Sequence, residues 1–285
     1  MQRLNPSFPT FPCFLAHALL LVVMSAGTVH ANQVQQSEWN QQTEWPIDED
    51  AEHTEFARRL YGSAGFGLDF SRGDYGEPDD TDVGSASIFA KLEYEPITFK
   101  LLVPYVVIDG SDDVIIGENG QGNSGSSDLR YGMGDIVTTL VYSWFPERSY
   151  VSIIDLSTKV KIPTASEKEN IGTGEVDVTM QLEVTKTIAH TSFFAGGGYR
   201  LKGGFYRDIW LASLGSSFRL GRRASIGVAY DFRQGSTNPV RDSHEISPFA
   251  SFRLGSKVRF SPYAVIGLSE NSPDWGTGAT FSVGF

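Results

Sequence analysis

From residue 61 onward, the chain consists of short segments in which apolar and polar residues alternate. The stretch GTGATFSVGF shows the pattern clearly, because Ala279, Phe281, Val283 and Phe285 are separated by glycine, serine or threonine. Alternation with a period of two predicts β-strands with one apolar face, since successive side chains of a strand point to opposite sides. No segment in this part of the chain shows a convincing helical period. The sequence therefore predicts an all-β domain.

Proline interrupts three of these alternating segments. Pro104, Pro248 and Pro262 each fall inside a predicted strand, and proline lacks the backbone N–H that a central strand donates to its neighbour. These three positions count against central strands, and the pattern alone does not explain them.

The connections between the predicted strands alternate in length. Short ones such as EPI, AHT and GRR are separated by longer polar ones such as RGDYGEPDDTD and RQGSTNPVRDS. Outer-membrane barrels place short turns in the periplasm and long loops outside the cell. Aromatic residues also gather near both predicted strand ends, as they do at the two membrane interfaces. We therefore predict a transmembrane antiparallel up-and-down β-barrel of the bacterial outer-membrane type with about 12 strands, in preference to a soluble β-sandwich.

The first 60 residues have a different character. Arg3 precedes the apolar run CFLAHALLLVVMSA, and the small residues of TVHA follow it. This pattern is typical of a secretory signal peptide, and the run is shorter than the ~20 residues of a membrane-spanning helix. We expect a signal peptide at 1–31, a flexible acidic periplasmic extension at 32–60 and an outer-membrane β-barrel at 61–285. Cys13 is the only cysteine, so we expect the barrel to be stable without disulfides.

The C-terminal strand carries an expected assembly signal. In outer-membrane proteins, a terminal aromatic residue with apolar residues at alternate positions before it is recognised by the barrel-assembly machinery. Phe281, Val283 and Phe285 fit that pattern, so we expect this machinery to be a partner. We also expect contact with outer-membrane lipid and with lipopolysaccharide, to which divalent ions could bridge the acidic loops; the alternative is that these loops are simply solvated.

Small and charged residues occupy the positions between the apolar ones, on the face predicted to point inward. A hollow, charged lumen is better explained by the passage of small polar or amphiphilic solutes than by a salt-bridged filling that only stabilises the barrel. The residues expected to line the lumen are Asp155, Lys159, Lys161, Asp177, Glu183, Arg200, Arg219, Arg223, Arg233, Arg253 and Arg259.

Other chemistry finds no support in the sequence. A formal net charge of −11 argues against nucleic acid as a partner. No G-x-S-x-G motif occurs, and His53, His190 and His244 have no metal-ligand spacing. Asp109, Ser111 and Asp113 have the spacing of a calcium loop, but Val114 stands where a glycine is needed. We therefore expect no catalytic residues, no metal, no cofactor and no enzymatic activity.

Two consecutive segments resemble a known family. The segments YGMGDIVTTLVYSWFP and STKVKIPTASEKENIGTGEVDVTMQLEVTKTIAHTSFFAGGGYRLKG are similar to the outer-membrane barrel family labelled MetA-pathway of phenol degradation. The shared features are a GxGD entry to a strand, a strand ending in Lys-x-Pro-Thr, and GTG before the next strand. The resemblance implies a channel for aromatic or other small organic compounds, and it carries over no functional residue.

The sequence thus favours one function and leaves a second open. We expect an outer-membrane channel that passes small polar or amphiphilic organic solutes. The alternative is a non-conducting outer-membrane barrel with a structural or adhesion role, exerted through extracellular loops such as residues 110–131.

Overall fold

The computed structural model describes residues 60–75, 80–110, 114–115, 118–119, 129–146, 153–166, 171–204, 206–236 and 241–285. The predicted signal peptide (1–31) and the predicted extension (32–60, apart from Leu60) lie outside these residues. Within the described ranges, no helix is long and apolar enough to span a membrane.

The described residues form β-strands joined by turns and loops. The strands are β1 (Tyr61–Gly73), β2 (Thr81–Tyr94), β3 (Ile97–Asp109), β4 (Val114–Ile115), β5 (Glu118–Asn119), β6 (Arg130–Met133), β7 (Ile136–Trp144), β8 (Ile153–Ile162), β9 (Asp177–Ile188), β10 (Thr191–Leu201), β11 (Ile209–Leu220), β12 (Ala224–Arg233), β13 (Ser243–Arg253), β14 (Val258–Gly267) and β15 (Trp275–Gly284).

Antiparallel pairing between neighbours closes these strands into a ring. Each long strand pairs with the next one along the chain, and β15 returns to pair with β1. Strands β6 and β7 pair with successive parts of β3 and act as one interrupted strand, so the barrel has 12 strands. Strands β4 and β5 form a separate small ribbon. The predicted outer-membrane type of barrel is confirmed.

Side chains alternate between the two faces of the barrel wall as the sequence pattern predicts. The outward face is apolar, with Ile88 70% exposed and Leu214 60% exposed, whereas Lys91 on the inward face is 8% exposed. A continuous apolar exterior matches lipid rather than water, and closure satisfies every strand edge, as a membrane requires.

The three prolines do lie in strands, and gaps in the hydrogen-bond ladders accommodate them. Pro104 lies opposite the break between β6 and β7, where its carbonyl accepts a 2.9 Å hydrogen bond from Gly134 N–H. Pro248 and Pro262 face the same β13–β14 seam, whose ladder is interrupted on both sides of the Phe249–Tyr263 pair. The missing proline N–H groups therefore cost no bond at these points, and the expectation that proline counts against these strands is wrong.

Candidate functional site in the barrel interior

The predicted interior residues occupy three different environments. Asp155, Lys159, Asp177, Arg200 and Arg233 are at most 7% exposed. A second group is partly exposed on the inward face: Lys161, Glu183, Arg219, Arg253 and Arg259. Arg223 lies instead in the turn between β11 and β12, and its side chain is exposed.

One buried ion-pair cluster joins the wall to a loop. The Lys161 ammonium lies 3.3 Å from Asp135 and 3.2 Å from Asp177, and it donates a 2.9 Å hydrogen bond to Thr173. Asp135 also accepts hydrogen bonds from the backbone N–H groups of Thr164 and Ala165, at 3.1 Å and 3.0 Å. This cluster fixes both ends of the β8–β9 connection against the strands.

The same connection sends an apolar side chain into the barrel. Ile171 is 2% exposed and packs in a buried cluster with Val83 of β2 and with Val106 and Ile108 of β3. The Ile171 end of the connection therefore lies against β2 and β3, which are three and two strands away from β8 in the ring. It fills part of the interior near the long loops.

A lysine in the β10–β11 connection has an unusual environment. Burial, with a contribution from the charge of Arg233, lowers the pKa of Lys202 to about 7. Its ammonium lies 4.8 Å from the centre of the Tyr206 ring, which is a favourable cation–π distance. The charge of this connection therefore changes near neutral pH.

The interior also holds aromatic rings that alternation alone did not predict. Four inward rings each lie directly opposite a glycine of the neighbouring strand, in the pairs Phe89–Gly65, Phe194–Gly215, Phe249–Gly227 and Tyr263–Gly278. A Cβ added to Gly65 would come within 2.5 Å of the Phe89 ring, and one added to Gly278 within 2.6 Å of the Tyr263 ring. Each ring therefore lies against the wall because its partner has no side chain.

The Tyr263–Gly278 pair also stabilises the contact between β1 and β15, the first and last strands of the ring. Asp69 of β1, Gly278 of β15 and Tyr263 of β14 are consecutive in the register. The Tyr263 hydroxyl reaches across Gly278 and donates to Asp69, and Ser85 donates a 3.2 Å hydrogen bond to the same carboxylate. Side chains of three strands, β1, β2 and β14, are thus linked through one buried carboxylate, across Gly278 of β15.

A weak sequence signal marks one of the missed rings. Phe193 and Phe194 are adjacent in SFFAGGG, so one of them must face inward whichever way the strand is read. The glycine partner lies on another strand, however, and the alternation pattern does not give the register between strands.

The three residues predicted as an assembly signal lie at the closing seam. Phe281 stacks outward between Phe66 and Phe260, with ring centroids 5.3 Å and 4.6 Å away, and Val283 is 49% exposed on the same face. Phe285 and Gly62 exchange two backbone hydrogen bonds of 2.9 Å and 3.1 Å. The Phe285 ring occupies the space that a side chain at Gly62 would need.

Comparison with solved structures agrees with this architecture. An outer membrane channel from Pseudomonas putida F1 is similar at a TM-score of 0.60 and 13% identity, over 82% of this chain and 100% of that chain. OprB of Pseudomonas putida gives a TM-score of 0.39 at 9% identity, over 79% of this chain and 92% of that chain. The TodX monoaromatic hydrocarbon channel, as a mutant, gives 0.38 at 10% identity, over 79% and 89%. The first similarity shows that this chain has the fold of an outer-membrane channel.

Comparison of sequences gives no match to a protein-family model or to a curated protein. Among the described residues, no group of three or more His, Cys, Asp or Glu side chains is placed to hold a metal ion.

Proposed function

We propose that this protein is a bacterial outer-membrane channel that passes small polar or amphiphilic organic solutes. The observation that carries the proposal is the composition of the inner wall, where buried charges such as Lys159 and Asp155 share the interior with aromatic rings such as Phe194 and Phe249. A barrel that only needed a stable core would be expected to hold an apolar filling, because moving a charged group out of water costs free energy even when the group is paired. A wall with both kinds of surface suits solutes with both kinds of group.

The same proposal includes the cellular setting. The apolar outward face supports residence in the outer membrane, with lipid around the wall and lipopolysaccharide at the long loops. The stacking of Phe281 and the pairing of Phe285 at the closing seam support recognition of this strand by the barrel-assembly machinery. The proposal includes no enzymatic step, which is consistent with the similarity of the fold to that of an outer membrane channel.

We further propose that the solutes of this channel include aromatic compounds. The segment around GxGD and GTG supports membership of the family labelled MetA-pathway of phenol degradation, and inward aromatic rings suit aromatic solutes through stacking and edge contacts.

Planar-bilayer recording and liposome swelling test the proposal together. We expect discrete single-channel currents from the purified protein, and faster swelling with phenol-sized solutes than with disaccharides. The absence of both currents and swelling, from protein that still shows heat-modifiable migration on gels, would overturn it.

One observation favours the alternative of a non-conducting barrel. Ile171 fills the interior near the long loops, together with Val83 and Ile108. If this packing seals the barrel, replacing Ile171 by Ser should create currents that the unmodified protein lacks. If the barrel conducts, the same change should only enlarge currents that already exist.

A further inference from the structure

Two buried carboxylates face each other on neighbouring strands near the long-loop end of the barrel. Asp231 of β12 lies directly opposite Glu245 of β13 in the register, and the two residues are 0% and 6% exposed. Each is two residues from the end of its strand that leads into the β12–β13 connection. Side chains in such opposite positions have Cβ atoms about 4.5–5.5 Å apart, so the two carboxylates can reach one shared partner.

Asp231 lacks the contacts that a buried carboxylate needs. Neither of its oxygens has a hydrogen-bond partner among the described residues, and both are buried. The charge that acts on Asp231 is that of Glu245, which has the same sign. Burying a carboxylate without donors or a cation is costly, and like charges directly opposite each other destabilise a sheet. This position therefore calls for a positively charged partner.

Glu245 is balanced only in part. Ser243 donates a 3.0 Å hydrogen bond to one of its oxygens, and the positive charge of Arg233 acts on it. One guanidinium does not neutralise two carboxylates, so the group formed by Asp231, Glu245 and Arg233 remains anionic.

A serine hydroxyl at the same place also lacks a partner. Ser247 follows Glu245 by two residues on β13, and it lies opposite Ala229, which is two residues from Asp231 on β12. Ser247 is 0% exposed, and its Oγ has no hydrogen-bond partner within the ranges that the structure describes. On the other side of Asp231, Ser213 of β11 lies directly opposite. Serine positions thus flank the two carboxylates on both sides.

The potential ligands are all oxygen atoms, which suits a hard cation. Two carboxylates and two serine hydroxyls supply up to six oxygens. Calcium takes about 6–8 oxygen ligands in flexible geometry, whereas magnesium demands a near-ideal octahedron. Nitrogen and sulfur ligands, which zinc and copper prefer, are not part of the set. The chemistry of these side chains therefore matches calcium best.

We propose that Asp231 and Glu245, with the hydroxyls of Ser247 and Ser213, bind one calcium ion. The set has only two acidic side chains, so it is smaller than the groups of three or more that the described residues lack. No sequence motif predicts it, because its members come from three strands. The inference does not depend on the channel function proposed above.

A bound ion would act on the long-loop end of the barrel. It would join β12 to β13 through their carboxylates. Ser243, which bonds to Glu245, also lies 2.9 Å from the Ser272 hydroxyl in the β14–β15 connection. Calcium should therefore stabilise the ends of both strands together with that connection.

Urea titration of the detergent-solubilised full chain, after treatment with EDTA, tests the site. We expect calcium to bind with a Kd of about 10⁻⁴–10⁻³ M, as in extracellular calcium modules. About 10 mM CaCl₂ should then raise the urea midpoint, because a ligand that binds only the folded state stabilises it. The same concentration of MgCl₂ should raise the midpoint less, and NaCl of equal ionic strength should not reproduce the rise, since its ions only screen charge.

Asp231→Asn should change the midpoint in opposite directions with and without calcium. In EDTA its midpoint should be higher than that of the unmodified protein, because one of two facing charges is removed. In calcium it should be lower, because the unmodified protein gains from the bound ion and the variant does not. Calorimetric titration should show at least about tenfold weaker calcium binding for Asp231→Asn and Glu245→Gln, and a smaller loss for Ser247→Ala, which keeps both carboxylates.

Asp155→Asn is the matched control. Asp155 and Glu183 also lie directly opposite each other, on β8 and β9, but Ser143 hydrogen-bonds to Asp155 and the positive charge of Lys100 acts on it. This variant should keep the full calcium-dependent rise of the midpoint. A midpoint of the unmodified protein that does not respond to calcium would overturn the inference. An equal rise in folded Asp231→Asn and Glu245→Gln, or an equal rise with NaCl of the same ionic strength, would overturn it as well.

Discussion

Replacing Gly227 by alanine should destabilise the barrel by pushing an interior ring off the wall. Gly227 lies directly opposite Phe249 in the β12–β13 register. A Cβ at this position would come within 2.7 Å of Phe249 Cε2 and within 2.7 Å of the Ser216 carbonyl oxygen. The backbone oxygen cannot turn away, and Phe249 is 8% exposed in a buried cluster that includes Phe194 and Tyr263. The ring would have to find a new place among packed neighbours.

Two opposing effects set the size of the change. Overpacking a well-packed site typically costs about 1–3 kcal/mol. A Gly→Ala change also stabilises by about 0.4–1 kcal/mol, because it restricts the unfolded chain. We therefore expect a net loss of about 1–2 kcal/mol in the free energy of unfolding, with the overpacking effect dominant.

Gly197→Ala is the matched control for this measurement. Gly197 lies within β10 at an outward position, and the nearest atom to an added Cβ is the Leu211 carbonyl oxygen at 3.8 Å, which is ordinary contact. Urea titration in detergent micelles, followed by tryptophan fluorescence, should give a lower midpoint for Gly227→Ala and an equal or higher one for Gly197→Ala. In a Phe249→Leu background, the Gly227→Ala change should cost less. Equal midpoints for the two alanine variants would refute the account of the ring and its glycine.

Three further changes give separate tests. Phe285→Ser should lower the heat-modifiable fraction in the outer membrane because it uncovers Gly62 at the seam, whereas Phe285→Trp should preserve it; wild-type amounts of folded Phe285→Ser would contradict this. Lys161→Met should lower the free energy of unfolding in urea titration by about 3 kcal/mol, because it leaves two buried carboxylates without their shared cation. Arg72→Met, at an exposed ion pair, should lower it by less than about 1 kcal/mol, and similar losses in the two variants would contradict the role given to Lys161. Burial lowers the pKa of Lys202 from 10.5 to about 7, so between these pH values the unfolded state holds a proton on Lys202 that the folded state has lost, and the free energy of unfolding should rise as pH increases from 7 towards 10. Lys202→Met should flatten that rise, and an unchanged slope would show that another group causes it.

The strands were predictable from sequence because two different environments act on opposite faces of every strand. Ile88 and Leu214 face outward where a period of two places them, and closure of the ring follows from the need to satisfy strand edges. The inward direction of Lys159 or Asp177 follows from the same period. What each inward side chain meets depends instead on the register between strands, which the pattern leaves open.

Three outcomes illustrate this limit. The partner of Phe249 is a glycine on another strand, so the sequence of β13 alone carries no sign that its ring lies flat. Pro104 fits its strand because the neighbouring strand is broken at Gly134 and Asp135, and Lys161 meets Asp135 through the same break. The link between Tyr263 and Asp69 likewise joins residues of two strands across Gly278 of a third, and it becomes visible only when the strands are aligned.

The pairing of β1 with β15 has a consequence for the chain before it has folded in the membrane. Strands β1 and β15 are the first and last of the ring, so each has a bare hydrogen-bonding edge until the other is in place. Bare edges with apolar side chains such as Phe66 and Phe281 are templates for aggregation with other chains. Contacts so distant in sequence also form slowly. We therefore expect the yield of folded barrel to depend on how well both edges are shielded before the ring closes, as well as on the stability of the finished barrel.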